Sequence, residues 1–181
     1  MFGQTHGRCR RLGGMDGLIS VFDYQGMMRR MVKTYKYKYV SDLTGVLTEL
    51  IQSFADLTPI AKKSWLVVGV PLHSRRERWR GFNQARELGR GVAADFGWTF
   101  AEGVINRTRY TQPQMTLSGE ERRQSLQGAF SLGKQGDLAR NASIVLIDDV
   151  WTTGATMREC TRVLKQGGAS EVWGLTLARA V

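Results

Sequence analysis

The chain has 181 residues, of which 42% are apolar, and this size and composition suit one globular domain with a substantial core. Its 26 Lys and Arg against 16 Asp and Glu give a formal net charge of +10, so the surface should attract anions such as nucleic acid, acidic lipid headgroups or a phosphorylated small molecule. Two cysteines, Cys9 and Cys160, argue against a disulfide framework and a Cys-rich zinc site and favour the reducing cytoplasm, and the apolar runs are too short for membrane insertion.

The N-terminal part of the chain predicts a loose start followed by two helices. Residues 1–17 hold five glycines and little that could pack, so we expect a flexible lead-in before a domain that covers 18–181. In YQGMMRRMVKTYKYK the apolar residues recur at helical spacing, which predicts an amphipathic basic helix with Lys33 and Lys36 solvated. The same period over 43–54 predicts a second helix.

The central part predicts a strand, a helix and a second strand. WLVVGVP is a β-rich apolar run ended by Pro71, and it leads into the loop LHSRRERWRGFNQ. A helix pattern over 85–96 closes at Gly97, and WTFAEGVI then reads as a strand. The polar stretch NRTRYTQPQMTLSGEERRQSLQGAFSLGK is expected to be mostly mobile, with a short helix where Ser118 and Glu121 have capping-box spacing.

The last part predicts a βαβ unit with a right-handed crossover. IVLI is uniformly apolar, as a strand covered on both faces must be, and a helix pattern follows it as far as Gly167 and Gly168. EVWGLTLA supplies the next strand. The predicted fold class is therefore α/β, with a mainly parallel sheet flanked by helices and a small N-terminal helical region.

Two adjacent acids follow this apolar strand in IVLIDDVWTTGATM. Because successive strand residues point to opposite faces, Asp148 and Asp149 should reach one ligand together where the strand ends and the backbone turns. Thr156 and Glu159 have capping-box spacing, which places a helix start beside the acids. The backbone amides of such a start suit a phosphate, so the stretch predicts a sugar-phosphate site with the diol on the acids. The phosphate would lie on five small or hydroxyl-bearing residues: Thr152, Thr153, Gly154, Ala155 and Thr156.

These residues resemble a known family. VLIDDVWTTGAT looks like the phosphoribosyl pyrophosphate (PRPP) binding signature of type I phosphoribosyltransferases, and VPLHSRRERWRGFNQA with the later RTRYTQPQ is similar to the ComF family within that fold, over roughly residues 20–180. The resemblance implies a type I phosphoribosyltransferase-like core with the N-terminal helices in its hood. Family members often begin with a Cys-rich zinc module. Because this chain offers His6 and Cys9 alone there, we expect the module to be absent or lost, and no zinc.

The resemblance also implies roles for the site residues. Asp148 and Asp149 would bind the ribose hydroxyls and serve catalysis together with Arg109, while 152–156 would hold the 5-phosphate. No metal site formed by the protein is expected, since Mg²⁺ would come with the ligand.

The arginines are expected to act on the leaving group. Negative charge builds on the pyrophosphate as it departs, so cations beside it lower the barrier. By resemblance, Arg75 or Arg76 would contact the pyrophosphate. The segment around Arg107, Arg109 and Gln112 would form a lid that excludes water from the reacting centre.

Each feature also has a simpler explanation. The acid pair could be a solvated strand end, and the four arginines of the loop could form an ordinary basic face. His73 fits a loop residue better than a general base, and Cys160 fits an apolar filler. Tyr35, Tyr37 and Tyr39, interleaved with lysines, suit either a nucleic-acid surface or an amphipathic pattern.

Three functions stay open. The first is an enzyme that transfers the phosphoribosyl group from PRPP to a nitrogenous base with Mg²⁺ and release of pyrophosphate. The second is a module that senses PRPP without turnover. The third, implied by the ComF resemblance, is a cytoplasmic competence protein that acts on imported single-stranded DNA, with DNA or a competence helicase as partner. The hood segments, 20–60 and parts of 100–130, spell no particular base.

Overall fold

The computed structural model describes residues 14–37, 43–60, 64–111 and 119–180. Its main sheet has five parallel strands in the order β1-β7-β6-β2-β3, and a separate antiparallel pair joins β4 and β5. The strands are β1 (Gly17–Asp23), β2 (Leu66–Gly69), β3 (Thr99–Phe100), β4 (Ile105–Arg107), β5 (Phe130–Leu132), β6 (Ser143–Trp151) and β7 (Glu171–Arg179). The helices are α1 (Gly26–Tyr37), α2 (Leu43–Phe54), α3 (Ser74–Arg80), α4 (Gln84–Phe96), α5 (Gly119–Leu126) and α6 (Ala155–Gln166).

Two apolar clusters pack on the two faces of the sheet, which confirms the predicted α/β class. Ile144 and Leu146 of β6 belong to a cluster that includes α6 and the small β4–β5 sheet. The alternate residues Val145 and Ile147 belong to the cluster that holds α1, α2 and α4. Because β6 is covered on both faces, its apolar run shows no alternation. In the part of the chain that the structure describes, no helix is both long and apolar enough to cross a bilayer.

The first element is a strand that the sequence analysis did not predict. β1 pairs in parallel with β7 at the edge of the sheet, and its apolar run is too short to show a period. Met15 is buried, and the Asp16 amide donates to the Val172 carbonyl, so the folded part begins a few residues earlier than predicted. Residues 1–13 of the expected lead-in lie outside the described residues.

The sequence predicted a basic loop after β2. That prediction is wrong, because residues 74–80 form the short helix α3. Its residues show no apolar period and none is buried, so capping groups define it instead. The His73 side chain accepts a hydrogen bond from the Arg75 amide, and Gly81 ends the helix with a φ of 79°. His73 is thus a cap, in agreement with its interpretation as a loop residue.

The predicted helices and the βαβ unit are otherwise confirmed. α1, α2, α4 and the short α5 lie where the patterns placed them, and β6, α6 and β7 form the predicted crossover. The single strand predicted from WTFAEGVI is wrong, since Gly103, with a φ of 73°, separates β3 from β4. β5 was not predicted, and residues 112–118 of the expected mobile stretch, which include Ser118, lie outside the described residues.

Candidate functional site

A cavity of ≈ 230 Å³ opens at the carboxyl ends of β2 and β6. This is the edge at which parallel sheets bind ligands. Polar side chains from six elements and their connections line it. The charged ones are Asp148, Asp149, Lys36, Arg76, Arg80 and Arg107, and the uncharged ones include Tyr24, Asn83, Gln84, Thr152 and Thr156.

The acid pair lies within β6, which continues to Trp151, so the prediction that the backbone turns at the pair is wrong. On one side β6 stays paired with β7, and Asp148 lies opposite Thr176. On the other side the pairing with β2 ends where Gly69 lies opposite Ile147. From Asp148 onward that edge of β6 is uncovered. Both acids therefore line the cavity, although consecutive strand residues project to opposite faces.

Each carboxylate is held by one oxygen. Asp148 Oδ1 accepts a hydrogen bond of 2.8 Å from the Asp149 amide, and Asp149 Oδ1 lies 2.8 Å from Lys36 Nζ. Burial and the neighbouring Asp149 charge raise the pKa of Asp148 to about 7, although Lys36 and Arg107 act in the opposite direction. At neutral pH this carboxyl is close to the balance between its two protonation states.

The prediction that Lys36 is solvated is wrong. Its side chain is 21% exposed and pairs with Asp149, which is itself 6% exposed. Burial acts to lower the pKa of Lys36, but the charge and hydrogen bond of Asp149 outweigh it and raise that pKa above its ordinary value. Lys33, which lies three positions before Lys36 on the same helix, is exposed as predicted.

The turn after the acids forms the start of α6, with Gly154 at the N-cap in a left-handed conformation, φ 73°. The predicted capping box is wrong, because Glu159 instead accepts hydrogen bonds from the Gly128 amide and from Arg162. Thr153 Oγ1 accepts from the Ala155 amide at 3.4 Å. Among the described residues, no acceptor bonds the amides of 152–154. These amides are therefore available to an anion.

The predicted phosphate residues divide into two groups. Thr152 and Thr156 line the cavity, whereas Thr153, Gly154 and Ala155 are not among its lining residues. A Cβ on Gly154 would lie 2.2 Å from the Trp151 ring, so this position has no space for a side chain. Close packing of the turn on Trp151 fixes where its amides lie.

The structure separates the two arginines predicted to contact pyrophosphate. Arg76 lines the cavity and donates to the Thr111 carbonyl at 3.4 Å. Arg75 instead lies outside the cavity lining, with its guanidinium 5.0 Å from the centre of the Tyr110 ring. Consecutive residues of a helix point about 100° apart, which explains the difference.

The predicted lid residues are also separated. Arg107 lines the cavity, with its guanidinium 5.3 Å from the centre of the Phe130 ring and a hydrogen bond from Nη2 to Thr111 Oγ1. Arg109 lies outside the lining and donates to the carbonyls of Ser125 and Gln127 at 2.7 and 2.9 Å. Gln112 lies outside the described residues.

Sequence reasoning placed Arg80 among four loop arginines, with Arg75, Arg76 and Arg78, that could supply cations to the leaving group, but it singled out Arg75 and Arg76 for contact and gave Gln84 of the RGFNQ segment no role. Gln84 is 2% exposed, its Oε1 accepts from Arg80 Nη1 at 3.1 Å, and its buried Nε2 has no hydrogen-bond partner among the described residues. Arg107 Nε is in the same condition. Buried donors of this kind indicate an acceptor that a ligand would bring. The signal in the sequence for both residues was RGFNQ, which contains Arg80 and Gln84 and which supported the family resemblance alone.

Burial and the nearby Arg76 lower the pKa of Arg107, because cations crowd this wall of the cavity. Asn83 holds the wall in place: it caps α4 by accepting from the amides of Ala85 and Arg86, and its Nδ2 donates to the Val70 carbonyl. The end of β2 and the start of α4 are thereby fixed to each other beside the cavity.

The described residues contain no group of three or more His, Cys, Asp or Glu side chains that could hold a metal ion. His6 and Cys9 lie outside the described residues, and the expectation about zinc stays a prediction. Cys160 is fully buried, and burial raises its thiol pKa well above the ordinary value, which fits an apolar filler.

Comparison with known proteins gives two close kinds of relative. Competence protein F of Haemophilus influenzae is 28% identical over 183 residues, which cover 98% of this chain and 80% of that protein. DNA utilization protein YhgH of Salmonella typhi is 32% identical over 165 residues, which cover 87% of this chain and 70% of that protein. No family model matches the chain.

Among solved structures, glutamine PRPP amidotransferase from B. subtilis, complexed with ADP and GMP, matches 76% of this chain with a TM-score of 0.46 and 21% identity. The match covers 26% of that chain, and it identifies no residue of the site. The sequence relatives, in contrast, align over nearly the whole length. With 32% identity to a DNA utilization protein and near-complete alignment to Competence protein F, the chain belongs to the ComF family, as its motifs predicted.

Proposed function

We propose that this protein binds PRPP with Mg²⁺ in the cavity at the ends of β2 and β6, and transfers the phosphoribosyl group to a nitrogenous base with release of pyrophosphate. One observation carries the proposal: the two acids, Thr152 and Thr156 of the turn after them, and a wall of guanidinium groups line the same ≈ 230 Å³ cavity. A pentose that bears phosphate at one end and pyrophosphate at the other has matching groups. The motif resemblance and the family membership point in the same direction.

The acids and the turn would hold the ribose 5-phosphate part. Because Asp148 and Asp149 are each held through Oδ1, their second oxygens can accept hydrogen bonds from the two ribose hydroxyls. The amides of 152–154 and the hydroxyls of Thr152 and Thr156 would bind the 5-phosphate at the positive end of the α6 dipole.

The guanidinium wall would hold the pyrophosphate. Of the residues first predicted for this role, we retain Arg76 and replace Arg75 with Arg80 and Arg107, since these line the cavity. Gln84 Nε2 would donate to the same group. Burial and the nearby Arg76 lower the pKa of Arg107, and an anion here would relieve the repulsion between these cations.

Transfer would break the bond between the anomeric carbon and the pyrophosphate oxygen, which leaves with the electron pair. A nitrogen lone pair of the base forms the new bond, and the proton of that nitrogen passes to solvent. Bound Mg²⁺ would neutralise charge on the pyrophosphate. The arginines that line the cavity would stabilise the same charge as it develops.

Calorimetry with PRPP and Mg²⁺ tests the binding site. Arg76→Ala should weaken PRPP more than ribose 5-phosphate, by about 10-fold or more, because a hydrogen-bonded charge contributes about 1.5–3 kcal/mol. Arg75→Ala on the same helix is the matched control and should bind both ligands as the wild type does. Equal losses in the two variants, or no PRPP binding by the wild type, would refute the assignment.

Pyrophosphate release across a panel of bases then separates an enzyme from a sensor. An enzyme releases pyrophosphate with at least one base, and the Asp148→Asn, Asp149→Asn double variant should abolish that release. A protein that binds PRPP tightly and releases none with any base would be the non-catalytic sensor. The same panel identifies the acceptor.

A second function is favoured by an exposed surface outside the cavity. Trp79 is 65% exposed and Tyr110 39% exposed, and both lie on or against α3 with Arg75, which contacts the Tyr110 ring. Aromatic rings interleaved with arginines suit single-stranded nucleic acid, on which bases stack. The names of the relatives, Competence protein F and DNA utilization protein, agree with a role on imported DNA in the cytoplasm.

The salt dependence of binding to single-stranded DNA tests this second function. The logarithm of affinity should fall linearly with the logarithm of salt concentration. Arg75→Ala should make that slope shallower by the amount that corresponds to the loss of about one phosphate contact. Trp79→Ala should weaken binding by about 1–3 kcal/mol without changing the slope. A flat slope would exclude direct DNA binding at this surface.

A further inference from the structure

Helix α1 contacts both motif segments of the site through two consecutive residues. Lys36 pairs with Asp149 of the acid pair, and Tyr35 contacts the RGFNQ segment, residues 80–84. Lys36 and Tyr35 themselves lie outside the two motifs that carry the family resemblance. A helix that lies outside the strand and turn of the signature thus supplies a charge to their centre.

The Tyr35 contacts fix the end of α1. Its side chain is wholly buried, its hydroxyl bonds Thr44 Oγ1 at 3.0 Å and donates to the Gln84 carbonyl at 3.4 Å, and its ring packs edge-on to Phe82. Burial raises the pKa of Tyr35 to about 12, so the hydroxyl stays a neutral donor. The buried Tyr35 therefore fixes the backbone from which the Lys36 side chain reaches Asp149.

We propose that Lys36 is a positioning residue that favours the ionised form of the acid pair and aligns it, so that both carboxylates accept hydrogen bonds from the diol of the ligand. The identity of that ligand rests on the proposed function, whereas the action of Lys36 on the acids rests on the contact with Asp149. The ammonium occupies Asp149 Oδ1 and leaves the second oxygen to the ligand.

The charges around the pair support this role. Lys36 from α1 and Arg107 from β4 act on Asp148, and Arg80 from α3 acts on Lys36. The Cys160 thiol from α6 interacts with Asp148, and the Tyr35 hydroxyl from α1 interacts with Asp149. Burial and mutual repulsion place the carboxyl of Asp148 near half-ionisation at neutral pH. A protonated carboxyl donates one hydrogen bond and loses acceptor capacity. Removal of the Lys36 charge would move the pair toward that form.

A pH profile distinguishes this role from a structural one. A residue that acts through packing changes affinity by the same factor at every pH, whereas loss of a charge moves the midpoint of the profile. Lys36→Met keeps much of the stem and removes the charge, and Lys36→Arg restores a charge. Lys33→Met, an exposed lysine of the same helix, is the matched control.

The first measurement is a carboxyl ¹³C NMR titration of the ligand-free protein. Lys36→Met should raise the apparent midpoint of the acid pair by about one pH unit, while Lys36→Arg and Lys33→Met should leave it near the wild-type value. A Lys36→Met titration that superimposes on the wild type would overturn the proposal. If Lys36→Met fails to fold, as shown by circular dichroism, the same comparison is made with Lys36→Gln.

The second measurement is calorimetry with ribose 5-phosphate across the same pH range. At about pH 7, a midpoint raised by one unit lowers the ionised fraction, and with it the affinity, by about fivefold, and the loss should disappear at higher pH. A loss that is equal at every pH would overturn the positioning role. If the wild type binds neither ribose 5-phosphate nor PRPP, the proposed function fails, while the carboxyl titration still decides what Lys36 does to the acids.

Discussion

Replacement of Gly69 by alanine should loosen the junction between β2 and α4, on which the cavity depends. A Cβ at Gly69 would lie 2.8 Å from both the Ala85 carbonyl oxygen and the Arg86 amide nitrogen. Both atoms are backbone in the first turn of α4, which Asn83 ties to the end of β2, so neither can rotate away. The helix start must shift, and Gln84 moves with it.

The magnitude follows from the cost of overpacking. Inserting a methyl group against a rigid core costs about 1–3 kcal/mol, and for a chain of this length 1 kcal/mol corresponds to about 2–4 °C in Tm. We therefore expect Gly69→Ala to unfold roughly 2–12 °C below the wild type in a thermal scan followed by circular dichroism, and to weaken PRPP because the guanidinium wall is displaced.

Gly45→Ala is the matched control. Gly45 is exposed in α2, and a Cβ there would meet nothing within 4 Å. The same substitution should then raise the free energy of unfolding by about 1 kcal/mol, since alanine favours a helix interior. If Gly69→Ala melted at or above the wild-type temperature while Gly45→Ala behaved as expected, the close approach of β2 and α4 would be wrong.

Three further predictions concern the site. Gly154→Ala should lose more stability and phosphate affinity than Gly103→Ala. Both glycines have a φ of 73°, but only at Gly154 would the added Cβ meet the Trp151 ring. Equal unfolding midpoints of the two variants in urea would contradict this. Tyr35→Phe should lower the free energy of unfolding by about 1 kcal/mol in the same assay, because it removes the hydrogen bonds to Thr44 and Gln84. An unchanged midpoint would show that those hydrogen bonds do not contribute to stability. The folded-state pKa of Asp148 is raised to about 7, so between about pH 4 and pH 7 the folded form holds a proton that the unfolded chain has lost. The contribution of Asp148 to stability is therefore present below about pH 4 and is lost as the pH rises to about 7. Asp148→Asn should remove this decline, and parallel curves of stability against pH for the variant and the wild type would refute the shift.

The sequence predicted the elements whose patterns are long and uniform. β6 and α6 were clear because a strand buried on both faces and a long amphipathic helix follow directly from burial. β1 escaped because its apolar run is too short to show a period. α3 escaped because caps hold it without an apolar face, and a charged segment of that kind reads as a loop.

The candidate site was predicted in part for a related reason. Asp148, Asp149, Thr152 and Thr156 lie within one contiguous motif, so their proximity was fixed by local order. Lys36 reaches the acids from more than a hundred positions away, and tertiary packing alone brings it there. Likewise, adjacent Arg75 and Arg76 diverge because they lie on a helix where a loop was expected, so residue type gave no means of choosing between them.

The packing of Trp151 on the phosphate turn gives the protein a built-in optical probe. Its indole covers Gly154 on one side and lies 5.2 Å from the Arg158 guanidinium, so an anion on the turn would change the electric field across the ring. Trp65 and Trp98 lie against each other elsewhere, and their emission should not respond. Quenching or a spectral shift that disappears in Trp151→Phe would therefore report occupancy of the turn in solution, without a label and before any acceptor is known.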